Sequence, residues 1–295
     1  MNDAPDGLEE GFPLARLTTI GTGGPARWFA RPTSMQLLTT ALRFAEAEGL
    51  QVAVVGLGSN LLVADTGFDG LVVRLDGSLA TIELDGEHII CGGGASLAAV
   101  VRRATDAALS GIEFGCAIPG TVGGAVRMNA GAYGGELRDV LSEALVVSAR
   151  GVRRHGPGEL EMTYRHSNVA PGEVVAVAML QLSSAPMERV RATVKAMQAR
   201  RAAAQPRKAR TFGSVFKNPE EGPGAGQLLE ACGLKGFVIG GAQISQVHAN
   251  FIENVGDAHS ADVAALIGEG RRRVREQYGV ELEHEVELLG SISIP

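Results

Sequence analysis

Apolar residues recur at helical spacing in some stretches of the chain and in unbroken or alternating runs in others, and the switches between the two predict its elements. From 32 to 74 the pattern reads helix, strand, glycine turn, strand. Leu37, Leu38, Leu42 and Ala45 form a helical apolar face, with Thr33 and Gln36 at capping-box spacing ahead of it. Gln51–Val55 reads as a short strand that ends in Gly56-Leu57-Gly58-Ser59-Asn60, and Leu71–Leu75 as another. A second unit starts near Thr81, where Ile89-Ile90-Cys91 leads into Gly92-Gly93-Gly94 and Ser96 caps a helix carrying Leu97, Val100, Val101 and Ala104. The β-like runs Leu145–Val147 and Val174–Leu182 predict a sheet that continues on both sides of Arg165. Val190, Val194 and Met197 space a further helix, which runs into Arg200, Arg201, Arg207, Lys208 and Arg210 around Gln205-Pro206. That basic run reads as a solvated helix end and linker, and a domain boundary is placed there. After it come Gly213–Pro219, a helix around Leu228–Cys232, a β-like Asn250-Phe251-Ile252, a helix from Ala261 to Gln277 and a strand near Val286–Leu289. The expected division is 1–80, 81–205 and 206–295.

Composition narrows the class. The 295 residues are 45% hydrophobic and 20% charged, enough for a sizeable core in two or three domains. No apolar run is long enough to span a bilayer, and the acidic start Met1-Asn2-Asp3-Ala4-Pro5-Asp6 does not resemble a signal peptide, so a cytoplasmic protein is expected. The net charge of −6 provides no overall basic field for nucleic acid. Cys91, Cys116 and Cys232 lie far apart without metal-type spacing, which argues against both a disulfide framework and a zinc site.

The densest signal is Ile118-Pro-Gly-Thr-Val-Gly-Gly-Ala-Val-Arg-Met-Asn-Ala-Gly-Ala-Tyr-Gly-Gly135. So many glycines let a backbone be approached closely, and Arg127, Asn129 and Tyr133 add polar and aromatic handles that a plain linker does not need. The stretch reads as one wall of a small-molecule site, with a set of tight turns as the alternative. Other glycine turns, Gly21–Gly24, Gly56–Asn60 and Gly92–Gly94, can offer nests of N–H groups to an anion such as a pyrophosphate. The dinucleotide G-x-G-x-x-G fingerprint, a Walker A sequence, H-E-x-x-H and G-x-S-x-G are all missing, which disfavours the chemistries they mark.

Thr18-Thr-Ile-Gly-Thr-Gly-Gly-Pro-Ala26, Gly58-Ser-Asn-Leu-Leu-Val63, Ile118–Gly134, Tyr164-Arg-His-Ser167 and Gly213-Ser-Val-Phe-Lys-Asn-Pro219 follow one another in an order that resembles the UDP-N-acetylenolpyruvoylglucosamine reductase family. The resemblance runs on through Gly233–Gly236, His248–Phe251 and Glu281–Val286, nearly the whole chain. It implies an α+β fold: a two-subdomain FAD-binding domain of the vanillyl-alcohol oxidase type and a C-terminal α/β substrate domain. It also implies the reaction. NADPH reduces FAD, which then delivers hydride to the enolpyruvyl group of UDP-N-acetylglucosamine enolpyruvate, giving UDP-N-acetylmuramate for peptidoglycan, cell-wall biogenesis, cell shape and division. No nucleic-acid, membrane or metal partner is expected, and a monomer is.

Carried over residue by residue, the resemblance makes Arg165, Ser214 and Glu285 catalytic. Hydride addition at C3 leaves charge at C2 and its carboxylate, which Arg165 can grip as a planar fork while Glu285, an acid kept protonated by burial, polarises the enol. Ser214 matches the proton donor to C2. Gly56, Gly58, Ser59, Asn60, Leu61, Pro119, Gly120, Thr121, Gly123 and Gly124 are expected to bind cofactor. Asn129, Tyr133, Tyr164, Lys217, Asn218, His248 and Asn250 are expected to bind substrate, with Asn129 and Tyr133 facing the site. The chain departs from the family at Leu57 and Ala117, where glycines are usual, and Cys116 invites the idea of a covalent flavin link. Its length resembles the family's shorter form, which lacks an inserted tyrosine clamp, so a residue of the basic run is expected to cover the substrate diphosphate. An FAD oxidase of the same superfamily and a non-catalytic UDP-sugar or flavin binding protein are the alternatives.

Overall fold

The computed structural model describes residues 5–206 and 209–295. The described residues form two compact units: the first takes those up to Glu10 with Trp28–Leu57 and Asp69–Arg201, and the second takes Gly11–Arg27, Gly58–Phe68 and the described part of Ala202–Pro295.

In the first unit, helix α1 (Met35–Ala47) buries Leu38, Ala41, Leu42, Phe44 and Ala45. Leu37, expected on that face, is instead 46% exposed. The cap also differs from the expected Thr33–Gln36 box, since the Ser34 hydroxyl accepts the Leu37 N–H. Strand Gln51–Val54 pairs in parallel with strand Phe68–Val73, Val52 opposite Leu71, as the helix–strand–turn–strand pattern predicts. A five-stranded antiparallel sheet runs in the order Gly151–His155, Leu141–Ser148, Val174–Gln181, His88–Gly92, Ile82–Asp85. Leu145 lies opposite Val177, so the Arg165 region is an excursion between strands of one sheet. Helix α2 (Leu97–Asp106) is capped by Ser96 and buries Leu97, Val100, Val101 and Ala104 against that sheet's core, as expected.

The glycine stretch is not loop throughout. Val122–Arg127 form a short helix, α3, because Val122 and Val126 are apolar at helical spacing and both are completely buried. Helix α4 (Met187–Ala204) buries only Val190 and carries the first part of the basic run, Arg200 exposed and Arg201 half-buried. Arg207 and Lys208 lie outside the described residues.

In the second unit, helices α5 (Ala225–Ala231) and α6 (Ser260–Tyr278) pack with a small antiparallel sheet, Val238–Ile239, Ala242–Ile244 and Ile252–Asn254. Phe212, Phe216, Leu228, Leu229, Val263, Leu266 and Ile267 fill its core. Strand Leu61–Val63 pairs in parallel with Glu287–Leu289, which ties a segment far back in the chain to its last strand. Asp65 does the same for α6: its two carboxylate oxygens accept the N–H groups of Ser260 (2.8 Å) and Ala261 (3.0 Å), the orphan donors of the helix start.

Candidate active site

In the second unit Gly213–Asn218 is an extended stretch held on both sides. Val215 N–H donates to Asn250 O and Val215 O accepts the Glu285 N–H, at 2.9 and 2.7 Å. Ser214 is bridged to Phe251, and Phe216 to His284. Gly213 has φ +91°, a left-handed conformation that glycine adopts without strain. The Glu285 backbone is fixed at its other end too, because Asn60 Nδ2 donates to its carbonyl at 3.1 Å while Asn60 O accepts the Glu287 N–H. Asn60, Ser214 and Glu285, far apart in sequence, are therefore brought into neighbouring segments of one unit. Glu285 is half-buried, as is Ser214, whose hydroxyl takes no hydrogen-bond partner among the described residues.

Several residues expected at the substrate are committed to the protein. Asn250, 4% exposed, accepts the Phe216 N–H through Oδ1 and donates Nδ2 to Phe216 O, both at 2.9 Å, and so acts as one more rung of the ladder. Asn218 Oδ1 accepts the Ala225 N–H at the start of α5. Lys217 Nζ pairs with Glu283 at 2.6 Å. His248 accepts the Asn250 N–H on Nδ1 at 3.2 Å, and its ring meets that of Phe251 edge-on, with centroids 5.0 Å apart. Burial, with the positive charge of Lys235 second, lowers its pKa, and His284 is lowered likewise by burial and by Arg271, whose Nη2 lies 3.1 Å from its Nδ1.

In the first unit Arg165 sits at the tip of a tight hairpin closed by mutual Thr163 and His166 N–H···O bonds of 3.1 Å. It has φ +55°, its Nη2 donates to Gly131 O at 2.9 Å, and its guanidinium lies 4.8 Å from the centroid of the Tyr164 ring. Tyr133 also has a left-handed backbone and lies under Arg200, 4.9 Å from ring centroid to guanidinium carbon. Asn129 does not face a site: it is completely buried, with Nδ2 donating to Glu136 Oε2 and Thr163 O and Oδ1 accepting the Arg138 N–H.

The glycine turns converge within the first unit. A Cβ on Gly56 would lie 2.4 Å from Thr121 Oγ1, so only glycine lets the 56 turn close on the start of α3. Gly123 N–H donates to Gly93 O and Leu97 N–H to Gly120 O, which joins the Gly92–Gly94 turn to the 120–124 segment. A Cβ on Gly134 would meet nothing within 4 Å and one on Gly124 only Thr121 Oγ1 at 3.6 Å, so both can be approached. The N–H groups of Gly56 and Leu57 meet no acceptor among the described residues. Such a set of unspent backbone donors beside close glycine contacts suits the pyrophosphate of FAD. Gly58 carries the turn's left-handed residue at φ +64°, and a Cβ there would lie 1.8 Å from Leu17 O; Leu57 is not among the positive-φ residues, so leucine is accommodated. Cys116 is half-buried with Sγ 3.8 Å from Val194 O and its thiol is pushed up by burial, while Cys91 is completely buried and pushed up to about 12. Both sit in their surroundings as small hydrophobes.

Sequence reasoning passed over Glu136 and gave no role to Ser167 and Glu283 inside their motifs; the three hold Asn129, Arg127 O and Lys217 respectively. No local spacing marks them, because each partner is brought up by tertiary folding. Among the described residues no group of His, Cys, Asp and Glu could hold a metal ion, and no helix is long and apolar enough to cross a membrane.

The chain is similar to known proteins along nearly all of its length. A family model for the C-terminal domain of UDP-N-acetylenolpyruvoylglucosamine reductase matches residues 205–289, and one for an FAD binding domain matches 26–156. The UDP-N-acetylenolpyruvoylglucosamine reductase of Sphingopyxis alaskensis is 45% identical over 280 residues, 94% of this chain and 93% of its own. That of Agathobacter rectalis is 42% identical over 298 residues, covering 96% and 94%. The crystal structure of the Thermus caldophilus reductase of the same name matches with a TM-score of 0.83 at 37% identity, over 96% of this chain and 98% of that one.

Proposed function

The chain belongs to the UDP-N-acetylenolpyruvoylglucosamine reductase family, and from that premise we propose that it uses FAD and NADPH to reduce the enolpyruvyl group of UDP-N-acetylglucosamine enolpyruvate to UDP-N-acetylmuramate. The observation that carries the reading is the Gly213–Asn218 stretch, locked between Asn250 and Glu285 with the Ser214 hydroxyl left for a bound molecule. FAD, when bound, supplies the hydride chemistry. The chain's own residues do the rest.

The N–H groups of the 56–60 turn, with Gly120, Thr121, Gly123 and Gly124, hold the cofactor. Arg165, whose guanidinium is steadied by Gly131 O and Tyr164, meets the substrate carboxylate and the charge that spreads into it when C3 gains hydride. Ser214 gives its proton to C2, and the hydroxyl is then reprotonated from solvent. Glu285, its backbone fixed on both sides, polarises the enol. Tyr133 contacts substrate, and Lys217 does so with the ammonium donors that its pair with Glu283 leaves, while Asn250, Asn218 and His248 act by shaping the segment that carries Ser214. Arg200, whose guanidinium lies over the Tyr133 ring, is the member of the basic run that covers the diphosphate in this reading. The working enzyme is a cytoplasmic monomer serving cell-wall growth, and hence cell shape and division, with the domain division 1–80, 81–205 and 206–295.

The test is anaerobic. Purified holoenzyme is reduced with NADPH, UDP-N-acetylglucosamine enolpyruvate is added, and flavin absorbance is followed. Substrate-dependent reoxidation within the enzyme's turnover time is expected; a flavin that stays reduced would overturn the assignment.

A further inference from the structure

The side chain of Asn129 is completely buried, and both its donors and its oxygen are spent inside the first unit. The partner that matters is Thr163 O. This carbonyl, at the base of the Arg165 hairpin, accepts from Asn129 Nδ2 at 2.9 Å as well as from His166 N–H at 3.1 Å. At the tip of the same hairpin Arg165 Nη2 bonds to Gly131 O, two residues beyond Asn129 in the chain. The hairpin and the 129–133 loop are thus joined at base and tip.

The joined segments also share an uncommon backbone state. Asn129, Tyr133 and Arg165 have φ of +39°, +54° and +55°, conformations that side-chain-bearing residues hold only where the surroundings enforce them. The Asn129 amide bonds the base of the Arg165 hairpin from the 129–133 loop, and Glu136, itself paired with Arg138, fixes the direction in which that amide points. Other bonds hold the remainder of the hairpin: Ser167 Oγ to Arg127 O at 2.7 Å, Arg127 Nη1 to Val169 O at 3.1 Å and Arg138 Nη1 to Met162 O at 3.4 Å. Loss of the Asn129 amide therefore leaves the hairpin attached by these bonds and by the one from Arg165 Nη2 to Gly131 O, and releases the Thr163 carbonyl at its base, on which the tip is built.

We propose that Asn129 is a positioning residue for the reaction, setting the place of the Arg165 guanidinium through the Thr163 carbonyl. The proposal rests on the reading of Arg165 as the cation that meets the substrate carboxylate. A shift of the cation by about 1 Å is enough to cost on the order of 100-fold in rate, because its value lies in being aimed before the charge develops.

The experiment uses holoenzyme and follows the two half-reactions separately in the wild type, Asn129→Ala, Arg165→Ala and the double variant. Asn129→Ala is expected to slow substrate-driven flavin reoxidation at saturating substrate by about 10- to 100-fold, while flavin reduction by NADPH stays within about twofold. In the Arg165→Ala background the same change is expected to add less than about twofold, since the group it positions is already gone. Equal slowing in both backgrounds, or no slowing in either, would overturn the proposal. An Arg165→Ala enzyme that reoxidises at the wild-type rate would overturn the reading beneath it and the proposal together, and is recognised by that single variant. A second variant guards against a folding defect in Asn129→Ala. Asn129→Asp keeps the size of the side chain but sets a carboxylate, which cannot donate, against Thr163 O. The same selective slowing of reoxidation, with flavin binding and NADPH-driven reduction intact, is expected; a wild-type reoxidation rate in Asn129→Asp would overturn the proposal.

Discussion

The Gly213–Asn218 stretch and the Arg165 hairpin hold their functional groups by different means. In the first, the grip is on the backbone: Val215 and Phe216 are paired from both sides, and the one left-handed position belongs to Gly213. In the second, side chains tie the loop down, and the left-handed positions belong to Asn129, Tyr133 and Arg165 themselves. A backbone ladder holds its register whatever side chain stands at Ser214, so the side chain there can be chosen for chemistry alone. A stitched hairpin has no such insulation. Each stitch is one side chain, and the residue at the tip carries strain as well as function.

The largest expected effect tests the insulated side. Ser214→Ala should leave NADPH-driven flavin reduction intact and slow the substrate-driven half-reaction by about 10²–10⁴-fold, the usual contribution of a positioned acid; loss of both half-reactions would mean that the ladder depends on Ser214 after all. Next comes the ladder itself. Asn250→Ala strands the N–H and C=O of Phe216 in a buried place, at a cost of about 1–3 kcal/mol for each unsatisfied group, so a clear drop in the unfolding midpoint is expected together with lost activity. A variant as stable as wild type would show that Asn250 is no rung.

A smaller effect separates strain from function at the hairpin tip. Arg165→Gly and Arg165→Ala both remove the guanidinium, but glycine accepts φ +55° where alanine resists it. The glycine variant should therefore unfold later than the alanine variant by about 1 kcal/mol or a little more, while both lose the substrate half-reaction. Equal stability would mean that the strain is relieved elsewhere.

The smallest expected effect concerns pH. The pKa values of His248 and His284 are lowered in the folded chain, first by burial and then by Lys235 and Arg271 respectively. Above the ordinary histidine value of about 6.5 both are neutral folded or unfolded, and they add nothing to the pH dependence. As pH falls through that value the unfolded chain takes up protons first, so stability declines until the lowered folded values are passed. Urea unfolding of His284→Gln between neutral and mildly acid pH should show a shallower decline than wild type.

Much of the secondary structure was legible in the chain. Ser96 ahead of Leu97, Val100, Val101 and Ala104 is a local signal of a helix, and the helix forms there because no distant residue is needed to start it. The misreadings are equally local in cause. Thr33 and Ser34 are both competent caps, and which one turns inward depends on how α1 meets the sheet, which also leaves Leu37 outside. The short α3 was hidden because Gly123 and Gly124 weigh against a helix, and burial of Val122 and Val126 overrides them. For the site, the ordered motifs point to where Ser214, Arg165 and Glu285 stand, but they do not distinguish an amide that meets a ligand from one that pins a carbonyl.

Sequence by itself determined the α+β character, the family and the stretches in which the chemistry sits, because periodicity, capping residues and ordered motifs are properties of neighbouring positions. Only the tertiary structure decided what Asn129, Asn250 and Asn60 do. Their partners, Thr163 O, Phe216 and Glu285 O, stand 34, 34 and 225 positions away. A hydrogen bond across such a span is set by the packing that brings the two segments together, and no local pattern around an asparagine records where its amide will point.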